Sequence, residues 1–280
     1  MTSPGSHPQD SFTHRYVPAL KRTVHRLGLA GNYGINHDEF RRALDMGPQY
    51  VFWTPRMKEV TPALRDALKQ RREHFVIATG PTLGLTAGAL RSAVEEARKL
   101  LQTDYVDILQ LFWLGKTSAW TDGTRDELLR QRELGHAKAI GVSIHDRPRA
   151  GEMVQSSPLD LFMLRYNACH PGIEQDVFPH LPKRDPRPAI LAYTATAWGK
   201  LLSAPSDWTG PRYTAGDCYR FALSNPNVDM ALCGPANLAQ LQENLQALER
   251  GPMSPDELAQ FRAFGARVKD SSAQLRWGMD

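Results

Sequence analysis

The sequence predicts an α/β protein, and within that class a barrel of eight parallel strands, on three observations. Eight short apolar runs recur along the chain. Amphipathic or turn-rich segments separate them almost without interruption. The length, 280 residues, suits one such barrel, which typically takes about 250. The runs are LGLA (27–30), YVFW (50–53), FVIAT (75–79), YVDILQLF (105–112), AIGVS (139–143), LFMLRY (161–166), AILAY (189–193) and VDMAL (228–232). Most are continuously apolar rather than alternating, as strands buried on both faces are. A doubly wound open sheet is the alternative. It is weakened because no strand–GxGxxG–helix fingerprint occurs; the glycines of GLAGNYG (28–34) have the wrong spacing and read as a tight turn.

Between the strands lie helical patterns. TAGALRSAVEEARKLL (86–101) sets Leu90, Val94, Ala97 and Leu101 on one face. NLAQLQENLQALER (237–250) does the same with Leu238, Leu241, Leu245 and Leu248 behind Asn237 as N-cap. HDEFRRALDMG (37–47) ends at a glycine, a common helix stop. SPDELAQFRAFGARV (254–268) opens with Ser254, Pro255 and Glu257, a capping box, and follows the eighth strand as an extra C-terminal helix. Residues 1–15, rich in Ser, Pro, His and Gly, predict a disordered arm before a single barrel domain over 16–280.

The bulk chemistry excludes several classes of function. Thirty-four Lys and Arg against thirty Asp and Glu give a net charge of +4. The basic residues are scattered among acids and predict solvated helix faces rather than a nucleic-acid surface. Cys169, Cys218 and Cys233 are far apart and form no CxxC pair, so neither a zinc site nor a disulfide framework is expected, and no metal. The opening MTSPGSHPQD is polar and predicts no signal peptide, and no run approaches the roughly 18 apolar residues of a membrane span. A cytoplasmic protein with a small-molecule ligand is the expectation.

In such barrels the chemistry sits where the strands end. Those ends read Tyr33, Trp53, Gly80, Phe112 with Trp113, Ser143 with His145, Tyr166 with Asn167, Tyr193 and Gly234. The set is aromatic with few ionisable groups. It suits an apolar or flat ligand, though several rings could simply plug the barrel. No GxSxG elbow, HExxH or Gly-rich phosphate loop is present. His145 and His170 lie nearest the expected mouth, where a lone histidine is either structural or a base. Arg165, inside an apolar strand, must be paired or point into a polar cavity; Glu174 and Asp176 are candidate partners.

Five stretches together resemble the aldo-keto reductases: LQTDYVDILQLF (101–112), GHAKAIGVSIH (135–145), LRYNACHPGIEQDVFP (164–179), ILAYTATAWGKLL (190–202) and ALSNPNVDMALCGPANLAQLQENLQAL (222–248). The resemblance implies the (β/α)8 TIM barrel inferred above, NADP(H) extended across its mouth, and carbonyl reduction. That chemistry uses an Asp, a Tyr, a Lys and a His. At the matching places this sequence has Trp53, no tyrosine in RMKEV, Gly80 and Phe112, which implies a member lacking the catalytic tetrad. By the same resemblance Ser143, Asn167, Tyr193, Gln240, Glu243 and Asn244 are the cofactor-binding candidates, while Ile144, Met163 and Ala236 replace groups that grip the dinucleotide.

The leading expectation is therefore a divergent enzyme acting on a small apolar or aromatic molecule without net redox change, an isomerase, lyase or cyclase. Trp53, Phe112, Trp113 and Trp198 would shape its pocket. Tyr33, His145, Arg165 and His170 would supply polar groups, with Tyr33 or His145 carrying the proton. An NADP(H)-dependent oxidoreductase using substitute residues is the alternative, and a non-catalytic ligand sensor the third.

Overall fold

The computed structural model describes residues 10–82, 86–115, 120–183 and 186–277. Its strands are β1 (His14–Val17), β2 (Arg22–His25), β3 (Leu27–Ala30), β4 (Tyr50–Phe52), β5 (Val76–Thr79), β6 (Val106–Leu114), β7 (Ala137–Ile144), β8 (Leu161–Arg165), β9 (Ala189–Tyr193) and β10 (Met230–Cys233). Strands β3 to β10 close a parallel barrel in chain order, with β10 pairing β3. The eight apolar runs are these strands, to within two residues at each end.

The helices are α1 (His37–Ala43), α2 (Thr61–Arg71), α3 (Ala87–Leu101), α4 (Asp122–Glu133), α5 (Arg147–Ser156), α6 (Ile173–Asp176), α7 (Ala215–Ser224), α8 (Leu238–Glu249) and α9 (Pro255–Trp277). Asn237 caps α8 by accepting from the Gln240 amide, and Ser254 with Glu257 forms the reciprocal cap of α9. Helix α1 stops at Ala43, short of Gly47, and α9 runs past residue 268 to Trp277. Among the described residues no helix is long and apolar enough to cross a membrane.

Of the expected N-terminal arm, residues 1–9 lie outside the described residues. His14 and Arg15 do not belong to a loose arm: they open β1, which pairs antiparallel with β2. The hairpin turns through Pro18–Leu20 and drives Val17, Leu20 and Val24 into the same apolar cluster as Val76, Ile108 and Ala139 inside the barrel. It is a plug at the N-terminal end, where an open barrel would leave those interior side chains wet.

Polar residues at that end tie neighbouring strands together on a repeating plan. Asp107 Oδ2 accepts from the Ile77 amide at 2.8 Å, Asp160 Oδ2 from Ile140 at 2.9 Å, and Asp229 Oδ2 from Ile190 at 2.7 Å. Gln49 Oε1 accepts from the His25 amide at 2.6 Å, just before β3. So the N-terminal ends of β4, β6, β8 and β10 each clamp a backbone N–H of the preceding segment. Each aspartate also meets an arginine: Arg72, Arg132 and Arg187, at 2.8, 3.0 and 2.9 Å. Asp229 adds Arg15 of β1 at 3.1 Å, which fastens the plug.

Removing Asp229 takes the carboxylate from Arg187 and one of two from Arg15, and leaves a buried amide without its acceptor. Asp229→Ala is expected to cost about 3 kcal/mol in denaturant unfolding, against about 1 kcal/mol for Asp160→Ala, whose carboxylate is more exposed and meets one arginine. Equal losses at the two sites would remove the distinction.

Candidate active site

Strand periodicity decides what the mouth contains. Side chains alternate between the interior and the helix layer. The interior cluster holds Tyr50 on β4, Val76 and Ala78 on β5, Ile108 on β6, Ala139 on β7, Leu161 and Met163 on β8, and Ala189 and Leu191 on β9. Continuing each strand by two residues brings Phe52, Gly80, Arg165 and Tyr193 to the top inward layer; on β7 the same alternation reaches His145 six residues beyond Ala139, and on β6 Phe112 follows Gln110. The layer is aromatic over β4–β6 and polar over β7–β9.

On the aromatic side, the rings of Phe52 and Phe112 lie 5.4 Å apart. Gly80 has no room for a side chain: a Cβ there would sit 2.1 Å from the Gln110 carbonyl oxygen and 2.8 Å from Phe112 Cζ. Phe112 is only 3% exposed. Trp53, expected to shape the pocket, does not reach it. By strand alternation it faces the helices, where it is fully buried in the layer with Met57 and Val60, and its Nε1 donates to Thr61 Oγ1 at 3.0 Å. A β-bulge between Leu111 and Leu114 turns Trp113 outward, half exposed at φ 56°.

The polar side brings together three of the four expected catalytic residues. His145 Nδ1 lies 3.0 Å from Tyr193 Oη. Arg165 stands next to them on β8, its guanidinium carbon 5.4 Å from the centre of the Trp198 ring. His170 meets the same ring edge-on at 6.0 Å. His145, Arg165 and His170 border a cavity of 350 Å³ that Arg147 and Ile173 also line. Tyr33 does not join them. It lies exposed against Gly234, at the end of β3, across the barrel from β7.

Neither expected carboxylate reaches Arg165. Glu174 is taken by Arg262 at 2.7 Å and by the Tyr166 hydroxyl, and Asp176 by Arg147 at 2.8 Å. Among the described residues Arg165 has no ion pair, and its charge is felt by its neighbours. Burial first, and Arg165 second, lower the pKa of both His145 and His170 below 6.5, so both are neutral near pH 7. Burial pushes the Tyr193 hydroxyl up to about 12, with Arg165 pulling weakly the other way.

The loops that present these groups are held under strain. Thr194, Ala197 and Trp198 all have left-handed backbone, φ 54°, 51° and 56°, which costs a non-glycine residue about 1 kcal/mol or more. Asn167 over-determines that arrangement. Its Nδ2 donates to the Thr194 carbonyl at 2.8 Å, and its Oδ1 accepts from the amides of Cys169 and His170 and from His170 Nδ1, each at 3.0 Å. The His170 ring is thereby fixed with Nδ1 protonated. Asn167 was expected to hold a cofactor; here it is a tether between the β8 and β9 loops.

Most other cofactor candidates are similarly engaged. Ser143 Oγ accepts from the Trp113 amide at 2.9 Å, Gln240 Oε1 from the Ala236 amide at 2.8 Å, and buried Asn244 donates to Cys233 Sγ at 3.3 Å. Glu243 is exposed on α8, and the Tyr193 hydroxyl is bonded to His145. Among the described residues no group of three His, Cys, Asp or Glu could hold a metal ion. Sequence reading missed Arg147, the second cation of the cavity, and the tether role of Asn167; only the loop geometry reveals either.

Gly80→Ala tests the packing of the aromatic side. It is expected to cost about 3 kcal/mol or more, the upper range for overpacking, read as a lowered unfolding midpoint. Adding Phe112→Ala should not restore stability, because the Gln110 carbonyl remains 2.1 Å from the new Cβ. Full rescue would show that the ring alone sets the limit.

The aldo/keto reductase family profile matches residues 20–208. L-galactose dehydrogenase of Arabidopsis thaliana is 22% identical over 73% of this chain and 74% of its own length. The glycerol dehydrogenase AKR11B4 of Gluconobacter oxydans superposes with a TM-score of 0.73 at 18% identity, covering 92% of this chain and 97% of that one. An aldo/keto reductase of Klebsiella pneumoniae, solved with NADP and acetate, gives 0.69 at 18% identity, with 91% and 96% covered. At these identities the superpositions speak for the fold, while the profile spans more than half of the sequence. The chain belongs to the aldo/keto reductase family.

Proposed function

We propose that this member of the family is a cytoplasmic enzyme that moves a proton on a small, flat molecule without net redox change, with His145 as the proton carrier. The observation that carries the reading is the division of the mouth. Phe52, Gly80 and Phe112 fill the side where the resemblance calls for acid–base groups, while His145, Tyr193 and Arg165 meet on the other.

The chemistry follows from the hydrogen bond. In the tautomer whose Nδ1–H donates to Tyr193 Oη, His145 has a free lone pair on Nε2 and can take a proton from substrate. The imidazolium then returns that proton to a neighbouring substrate atom, so electrons and protons balance over the cycle. Arg165 stabilises negative charge that develops between the two steps. A positioned base of this kind contributes about 10²–10⁴ in rate.

A nicotinamide dinucleotide fits the residues poorly, since Ser143, Asn167, Gln240 and Asn244 already serve hydrogen bonds within the protein. The second reading, an NADP(H)-dependent oxidoreductase, is favoured by family membership and by the NADP bound to the Klebsiella neighbour.

Calorimetric titration with NADPH, NADP⁺, NADH and NAD⁺ separates the two. The expected result is no binding at micromolar strength by any of the four; tight binding of one would overturn the redox-neutral reading. Histidine NMR titration should place His145 below 6.5 and show it rising when Arg165→Met removes the neighbouring charge. The base form of His145 is the neutral ring, so turnover should rise with pH through that lowered value and level off above it.

A further inference from the structure

The cavity beside His145 also carries information about what its occupant must be. It holds two guanidinium groups. Arg147 is offset by Asp176 at 2.8 Å. Asp146, the carboxylate on the cavity wall, is turned to the helix, where its Oδ1 accepts from the Arg149 amide at 2.9 Å as the N-cap of α5. Arg165 is left with an aromatic ring beside it and no counter-ion among the described residues. A half-buried cation in that position has the cation–π contact with Trp198 but no opposite charge to neutralise it. The 350 Å³ of the cavity is at the small end for ligand sites and suits a single-ring molecule. Trp198, exposed and strained, is a flat surface packed beside two of the lining residues, Arg165 and His170.

We propose that Arg165 is the counter-ion for a compact oxyanion, a carboxylate or phosphate group, carried by the substrate on a flat body that lies against Trp198. The proposal rests on the reading of His145 and Tyr193 as the reacting pair only in calling the ligand a substrate. The planar fork of the guanidinium donates to two oxygens of one group, which orients the ligand as well as holding it. The anion then fixes which atom of the body faces His145 Nε2. Arg165 is thus a binding and specificity-determining residue of the cavity.

The test is calorimetric titration of the full chain with benzoate and with phenyl phosphate, using benzyl alcohol as the uncharged control. At least one anion should bind at millimolar strength or tighter while the alcohol does not; which anion binds tells carboxylate from phosphate. Arg165→Met should weaken the preferred anion about tenfold or more at an unchanged melting temperature, and Arg165→Lys should retain part of the affinity. In the wild type, the NMR titrations of His145 and His170 should move to higher pH when the anion is bound, an effect that a merely structural arginine would not produce.

Equal binding of benzyl alcohol and the anions would overturn the proposal, as would unchanged anion affinity in a folded Arg165→Met. Loss of NADPH binding alone in that variant would also overturn it, by assigning the arginine to a dinucleotide. If Arg165→Met does not fold, the wild-type selectivity and the histidine shifts decide the matter without it. Should the anion bind as described while His145→Asn leaves turnover intact, the subsite stands and the proton-transfer reading falls.

Discussion

Register at the base of the barrel governs everything that happens at its top. A closed sheet has no free edge at which a slipped strand can be absorbed, so a shift in one pairing propagates around the ring. With a side-chain period of two, a slip by one residue would replace His145, Arg165 and Tyr193 in the mouth by Ile144, Leu164 and Ala192. The clamps from Gln49, Asp107, Asp160 and Asp229 fix this phase with short bonds at alternate strands, where water does not compete strongly. Arginines then neutralise the three carboxylates, and one of them, Arg15, ties in the plug as well.

The mouth that results is electrostatically lopsided. Its β4–β6 side is closed by ring packing and by a glycine pressed against a carbonyl, so no polar group is presented there by Phe52, Gly80 or Phe112. Its β7–β9 side concentrates two guanidinium groups, of which only Arg147 has a carboxylate partner among the described residues, with two neutral imidazoles and a phenol. The strained residues of the β9 loop stand on this second side. Strain is maintained where surrounding bonds over-determine the backbone, and Asn167 does so for the loops that carry His170 and Trp198.

The strands were legible because burial on both faces leaves uninterrupted apolar runs, and α3, α8 and the start of α9 because one face is apolar. Helix α4 escaped notice because DGTRDELLRQRE carries so few apolar residues. Helix α7 did so for the opposite reason: eight of its residues are buried, so no single stripe stands out. The site was half legible. Arg165, His145 and His170 stand out as polar residues at apolar strand ends, but a run that is apolar on both faces hides its own phase, so the sequence does not show that Trp53 faces the helices. The partner of Arg165 was also misread, because Glu174 and Asp176 lie near it in sequence yet turn to arginines of α9 and α5.

Helix α9 connects the cavity to the end of the chain. Gly265 lets it lie directly on Ala168, where a Cβ would come within 2.3 Å, and Arg262 reaches Glu174 beside the same loop. The segment that α9 braces is the one that presents His170 to the cavity. Docking of the helix and occupancy of the cavity therefore share a linkage relation: whatever free energy a ligand gains from an ordered His170 loop, it returns as protection of α9 against fraying. A molecule bound among the strand ends will be registered at the outer surface, as slower amide exchange along the final helix.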